Sequence, residues 1–443
     1  MYLADSRGAA AAVVPDSGPG RRRAAVPATV LALGAVSLIT DVSSEMVTAV
    51  LPLYVITGLG LSPLGFGFLD GINNGVGALV RLAGGHLADR GGRRHKAVAG
   101  LGYGLSALCK PLLLLAHSLP VISAVLAADR TGKGLRTAPR DAMISLATAP
   151  EHRGRAFGVH RAMDTTGALL GPLAAFAVLR ATVDGYDAVF AVSGCVAALG
   201  VLVLVLFVPR HVTAATAATA ATAATAATAA TAATAATAAR QPEPRRPTLR
   251  DALGLLRRPR LRRLTVCATL LGLTTVSDSF LYLLLQRDAD LPAHLFPLLP
   301  LGTAAVFLTL AVPLGVLADR VSRRRLFLAG HGVLLAGYGL VLGPWHGLPA
   351  VIAILVLHGA FYASTDGVLA AATAGAVPAH HQGAGQALVG TGQALARFAC
   401  SLAFGAAWNL WGPRTALALT AAALAVSAVV AAFVLRGPDE VPA

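Results

Sequence analysis

Apolar and polar positions along this chain alternate on the scale of whole segments. Runs of roughly 20 mostly apolar residues, the length at which a helix crosses a hydrocarbon core, recur along almost the whole chain between short polar breaks. The pattern predicts spans at 28–55, 63–87, 97–116, 119–142, 156–180 and 187–208. Six more are predicted at 263–286, 294–318, 326–343, 349–373, 384–410 and 414–435. Two of the breaks nearly repeat each other. Gly85-His-Leu-Ala-Asp89-Arg90-Gly-Gly92-Arg93-Arg94 closes the second predicted span, and Gly315-Val-Leu-Ala-Asp319-Arg320-Val-Ser322-Arg323-Arg324 closes the eighth. One acidic–basic hinge per half marks a duplication. The expected fold is an all-α membrane protein with twelve transmembrane helices in two pseudo-symmetric six-helix bundles.

Residues 213–239 are nine copies of Thr-Ala-Ala, uncharged and long enough to mimic a thirteenth span. Charge parity rejects that reading, because a crossing there would move every later basic cluster to the opposite face. The expected organisation is a disordered cytoplasmic amino terminus (1–27), a first bundle (28–210), a cytoplasmic linker (211–262), a second bundle (263–436) and a cytoplasmic tail (437–443). Within the linker, Leu249 to Leu261 is amphipathic and suited to the membrane surface. Arg21-Arg22-Arg23 before the first apolar segment resembles a signal-peptide start. That segment is too long for a signal sequence, and it holds Asp41 and Glu45, so it reads as a retained helix.

Composition sharpens the picture. Hydrophobic residues make up 56% and charged residues 13%, against about 25% charged in soluble domains. The formal charge is +15, yet the arginines sit in short clusters between apolar segments rather than in one patch. Nucleic-acid binding is therefore excluded, and the clusters read as the positive-inside bias of a multi-pass plasma (inner) membrane protein with both termini cytoplasmic. Cys109, Cys195, Cys267 and Cys400 all lie in apolar segments without metal-binding spacing and read as buried small hydrophobes. Thr131-Gly-Lys-Gly134 fails the phosphate-loop spacing, and His380-His381 is a weak metal pair. No enzyme, metal or cofactor is expected.

Charged groups inside spans are costly and mark function. Asp41 and Glu45, four apart, share one face of the first helix, where like charges repel. They are the leading proton-coupling candidates, with Asp129 and Asp164 next; the competing reading pairs them with bases on helices four or five. Asp129, Lys133, Arg136 and Arg140 form one stripe on helix four, flanked by Arg130 and Asp141, and helix five answers with His160, Arg161 and Asp164. Ion pairs between helices four and five are expected for Arg136, Arg140, Asp141 and Arg161. Arg130 and Lys133 lie deeper and are candidates for holding an anionic or zwitterionic solute. Further candidates on the solute path are Asp70 and Asn74 (with Arg81 on their face), Asp278, His358, Tyr362, Asp366, Gln393 and Arg397. Lys110 interrupts helix three beside Pro111, and Arg397 is expected to neutralise Asp366 or Asp278.

The hinge motif at Gly85, Asp89, Arg90, Gly92, Arg93 and Arg94, with its degenerate copy at Gly315, Asp319 and Arg320, resembles that of the major facilitator superfamily. Arg130-Thr-Gly-Lys-Gly134 resembles the family's fourth-helix arginine motif, with Lys133 in place of its usual Gln, and Arg153-Gly154-Arg-Ala-Phe157 resembles its loop before helix five. Gly167-Ala-Leu-Leu-Gly171-Pro172 resembles a helix-five packing signature of drug/proton antiporters, without the following Gly pair. Arg136 to Ala142 and His160 to Asp164 resemble a poorly characterised prokaryotic subgroup. The resemblance implies one solute path between the halves, open alternately to each face, with Asp89 meeting a helix amino terminus to latch the cytoplasmic side. The reading is a monomeric secondary transporter of a small polar or charged solute, coupled to protons. Its alternatives are proton-antiport efflux of drugs or metabolites, and a non-transporting receptor or assembly factor of the same fold.

Overall fold

The computed structural model describes residues 26–90, 95–149, 152–182, 185–209, 254–378 and 382–435, with the backbone alone at 77–79, 81–90, 319 and 383. The Thr-Ala-Ala tract and the two chain ends lie outside them. Six helices make the first half: α1 (Ala28–Leu53), α2 (Pro63–Arg90), α3 (His95–Leu112), α4 (Leu119–Leu146), α5 (Arg153–Ala181) and α6 (Gly185–Phe207). Seven follow: α7 (Pro259–Gly272), α8 (Asp278–Asp288), α9 (Leu298–Arg320), α10 (Arg323–Leu342), α11 (Leu348–Ala374), α12 (Gln382–Trp411) and α13 (Pro413–Val434). No strand occurs among the described residues.

The expected continuous span at 263–286 is corrected: it is two helices, α7 and α8. The run Thr274-Thr275-Val276-Ser277 explains the break, since hydroxyl side chains compete for backbone partners and β-branched residues crowd a helix. Thr275 Oγ1 donates to the Leu271 carbonyl at 2.8 Å, and Thr274 Oγ1 to the same oxygen at 3.1 Å. The Val276 amide donates to the Tyr338 hydroxyl at 2.9 Å, and Cys400 Sγ donates to the Thr275 carbonyl at 3.2 Å. Irregular backbone at membrane depth persists only where protein supplies such partners.

Nine helical segments among the described residues are long and apolar enough to cross a membrane. Helices α2, α4, α7 and α8 fall outside that set; α4 carries Asp129, Arg130, Lys133, Arg136, Arg140 and Asp141, and neither α7 nor α8 is long enough alone. Large apolar side chains such as Leu101, Leu206, Val312 and Phe433 stand exposed on the outer surface, as a lipid-facing shell requires.

The duplication shows in the packing. The pairs α1–α5, α2–α4, α3–α4 and α1–α6 recur as α7–α12, α9–α11, α10–α11 and α7–α13. Small residues hold corresponding contacts. Gly134 of α4 sits against Val80 of α2, and Gly359 of α11 sits against Val306 of α9. Across the two halves, α2 packs along α12. A Cβ on Gly67 would lie 2.4 Å from the Ser401 carbonyl oxygen, and one on Gly405 would lie 2.5 Å from that of Pro63. Neither backbone oxygen has room to yield, so only glycine fits. Around this seam, beside the first turn of α2, Phe280 meets Phe66 and Phe404 edge to face, each at 4.9 Å.

Candidate functional site

The first half concentrates its charge where α1, α3 and α4 meet. Helices α3 and α4 approach closely because Gly102 and Gly132 face each other's carbonyls. Ser106 Oγ then donates to the Asp129 carbonyl at 3.1 Å. One turn further, Lys110 Nζ lies 2.9 Å from Asp129 Oδ1, both side chains at most 4% exposed. Arg130 Nη2 lies 3.7 Å from the other oxygen of Asp129 and donates to Thr48 Oγ1 at 3.3 Å. On the same helix, Arg136 Nη2 donates to Asp41 Oδ1 at 3.3 Å while its guanidinium stacks over Tyr103 at 4.6 Å. Lys133 Nζ bridges Asp41 and Glu45 at 3.9 and 3.8 Å. A cation therefore stands between the two α1 carboxylates. Nearer the α4 carboxyl end, Arg140 reaches Asp141 at 3.0 Å and Asp164 at 3.6 Å, and Arg161 reaches Asp164 at 3.4 Å. His160 Nε2 and Arg140 Nη1 both meet Ser37 Oγ, at 3.1 and 3.3 Å.

Two expectations change here. Arg136 pairs with α1 rather than α5, because its stretch of α4 faces Asp41 and Tyr103. The helix-five glycines, expected to allow close approach to helix four, instead bring α5 against α1: a Cβ at Gly167 would lie 2.4 Å from the Leu38 carbonyl oxygen, and one at Gly171 would lie 2.6 Å from Glu45 Cβ. Pro172, next to Gly171 in the chain, is buried as well.

In the second half the break between α7 and α8 positions Asp278 at the first turn of α8. Its Oδ1 accepts from Tyr362 at 2.6 Å and pairs with His358 Nε2 at 2.9 Å, while 41% of its side chain stays exposed. His358 and Tyr362 thus converge on Asp278, whereas Asp366 on the same α11 face does not join them. Asp366, Gln393 and Arg397 instead line a small cavity with His331 and Thr365, between α7, α10, α11 and α12. Asp70 links the halves: its Oδ2 accepts from Ser401 Oγ of α12 at 2.6 Å and from Asn74 Nδ2 at 3.3 Å.

The hinge motif lies largely outside the described residues: Gly92, Arg93 and Arg94 entirely, and the side chains of Asp89, Arg90 and Asp319. Gly85 is placed only as part of α2, and Gly315 and Arg320 are exposed near the end of α9. His380 and His381 are likewise outside. Cys109, Cys267 and Cys400 are buried, but Cys195 is exposed on α6, which corrects the expectation that all four are buried. Among the described residues no metal-binding cluster occurs. Sequence reasoning missed Thr48, Tyr103 and Ser401, ordinary residues in apolar runs, and noticed Lys110 and Asp129 without joining them.

This architecture defines a class. The family profile of the Major Facilitator Superfamily matches residues 33–312 and 279–443, and the chain belongs to that family. An uncharacterised MFS-type transporter of Methanocaldococcus jannaschii is 39% identical over 139 residues, 31% of this chain and 34% of that protein. An uncharacterised protein of Mycobacterium tuberculosis is 37% identical over 158 residues, 35% of this chain and 38% of its own length. The matched segment spans little more than a third of each relative. Among solved structures, the nucleoside transporter NupG superposes with a TM-score of 0.74 at 12% identity, covering 92% of this chain and 99% of NupG. A bacterial homologue of the human lysosomal transporter Spinster, inward-facing and occupied, gives 0.72 at 15%, covering 92% and 96%. These likenesses show the fold. The chain is a multi-pass membrane protein of a transporter family.

Proposed function

We propose that this protein is a secondary active transporter that moves a small polar or charged solute through a path between its two halves by alternating access, coupled to protons. The observation that carries the reading is the pair Lys133 and Asp278. Lys133 lies midway along α4 and Asp278 at the break between α7 and α8, one from each half, and their side chains remain 36% and 41% exposed. Charged groups at that depth cannot face hydrocarbon, so the exposure belongs to a water-accessible interior. The glycine seam between α2 and α12 supports a form closed at one end. On the twelve-span, amino-terminus-inside reading, the seam faces outward and the interior opens to the cytoplasm of an inner or plasma membrane. The coupling carboxylates are drawn from Asp41, Glu45, Asp129 and Asp164. Asp41 and Glu45 share Lys133, so loss of a proton from either strengthens its hold on that lysine and releases it from a bound solute.

The test uses purified protein in proteoliposomes, comparing solute uptake driven by an imposed proton gradient with counterflow of the same solute. Accumulation above equilibrium that collapses when the gradient is dissipated is the expected result. Saturable binding without flux in either mode would favour a receptor of the same fold.

A further inference from the structure

The charges gathered where α1, α3 and α4 meet do not cancel among the described residues, and the remainder has a location. Resting on the transporter reading above, we infer that the solute carries a single negative charge, such as a carboxylate, and that Arg130 and Lys133 hold it against Thr48. Where α1, α3 and α4 meet, four cations (Lys110, Arg130, Lys133 and Arg136) contact three carboxylates (Asp41, Glu45 and Asp129). Lys110 takes Asp129 at hydrogen-bonding distance, and Arg136 takes Asp41. Arg130 is left 3.7 Å from an acid already engaged; it donates to the neutral Thr48, and its buried Nε has no partner. Lys133 contacts its two acids at 3.8 and 3.9 Å, beyond hydrogen-bonding distance, and is the most exposed of the four. The neighbouring group is balanced, with Arg140 and Arg161 set against Asp141 and Asp164, so the surplus does not drain toward the end of α4.

Three further details fit an anionic guest. Arg130 and Lys133 are three apart on α4 and so project from adjacent positions of one helix face. A guanidinium presents several donors in a fixed plane suited to a carboxylate, while an ammonium on a flexible stem can close over it. Thr48 Oγ1 donates its own proton to the Ser44 carbonyl at 2.9 Å, so it orients Arg130 as an acceptor without competing for the guest. A monoanion that binds together with the proton taken up by Asp41 or Glu45 leaves the net charge of the cluster unchanged, whereas a dianion would lower it.

The test can be run while the solute is still unidentified. Thr48→Cys is placed in a background with Cys109, Cys195, Cys267 and Cys400 changed to Ala. Its rates with sulfonatoethyl (anionic) and trimethylammonioethyl (cationic) methanethiosulfonate are measured, each normalised to free cysteine. A single uncompensated charge nearby should favour the anionic reagent by about tenfold. Arg130→Gln should erase that preference, and Arg130→Lys, which keeps the charge, should retain it. If Arg130→Gln does not fold, Lys133→Gln must lower the ratio instead. Equal rates, a preference for the cation, indifference to both charges, or a cysteine closed to both reagents would overturn the assignment. Because the readout is local potential, it stands apart from the flux assay, whose failure would count against transport itself.

Discussion

Lys110 is the side chain whose removal can be weighed most directly from the structure. It is a lysine buried on α3, and its ammonium has one carboxylate, Asp129 of α4, at 2.9 Å. Replacing Lys110 with Met fills the space with an apolar chain of similar length but leaves Asp129 buried with only the 3.7 Å contact to Arg130. Breaking one side of a buried pair costs about 3–5 kcal/mol. Arg130 offsets part of this, so about 3 kcal/mol is expected, more than a hundredfold in the folded-to-unfolded ratio. Asp129→Asn strands Lys110 and should cost a similar amount. The double variant removes both charges and should be no less stable than either single, since neutral replacements of buried pairs are often tolerated. Thermal unfolding of the purified variants in one detergent, followed by fluorescence and size-exclusion chromatography, reads all three. If the double variant loses the sum of the two single losses, the pair is not an energetic unit and the network drawn around α4 is wrong.

Other consequences are equally open to measurement. Gly67→Ala puts a methyl group 2.4 Å from the Ser401 carbonyl; overpacking costs about 1–3 kcal/mol, and the cost falls only on the form in which α2 and α12 touch. Spin labels at Leu64 and Leu410 should then report a longer mean separation, and an unchanged distance distribution would deny the seam its conformational role. Tyr362→Phe removes a 2.6 Å hydrogen bond to Asp278 and should cost about 1.5–3 kcal/mol of thermal stability; a change below about 0.5 kcal/mol would mean that the carboxylate is served by His358 alone. Asp41→Asn or Glu45→Gln should abolish proton-driven accumulation while leaving counterflow measurable, and full retention of accumulation by both variants would move coupling to Asp129 or Asp164.

The apolar segments were legible because burial in lipid demands long runs, and apart from the broken seventh the described helices begin and end within a few residues of the expected bounds. The broken seventh segment was legible in principle: Thr274-Thr275-Val276-Ser277 is a helix-breaking cluster hidden by its own hydropathy. Charge at depth was equally plain, since Asp41, Lys110, Asp129 and Arg136 stand out in apolar surroundings. Their pairing was not. Periodicity says which face of a helix a residue occupies, but not which neighbour that face meets. Arg136 shares its helix face with residues that meet α5, yet its own neighbour is Asp41 of α1, the helix on which the glycines of α5 also press. Asp278 gathered His358 and Tyr362 for the same reason: the kink that aims it is tertiary in origin, held by Tyr338 and Cys400 from distant parts of the chain.

Alternating access is tested most directly by asking from which side Lys133 is reached. In the cysteine-free background, Lys133→Cys would be exposed to an impermeant maleimide from each face in turn, using right-side-out and inside-out vesicles, with and without Gly67→Ala. The account predicts labelling from the cytoplasmic face alone with the seam intact, and from the opposite face once Gly67→Ala opens it. Labelling from both faces at rates that Gly67→Ala leaves unchanged would describe a pore, and labelling from the same face alone in both backgrounds would mean that the halves do not alternate.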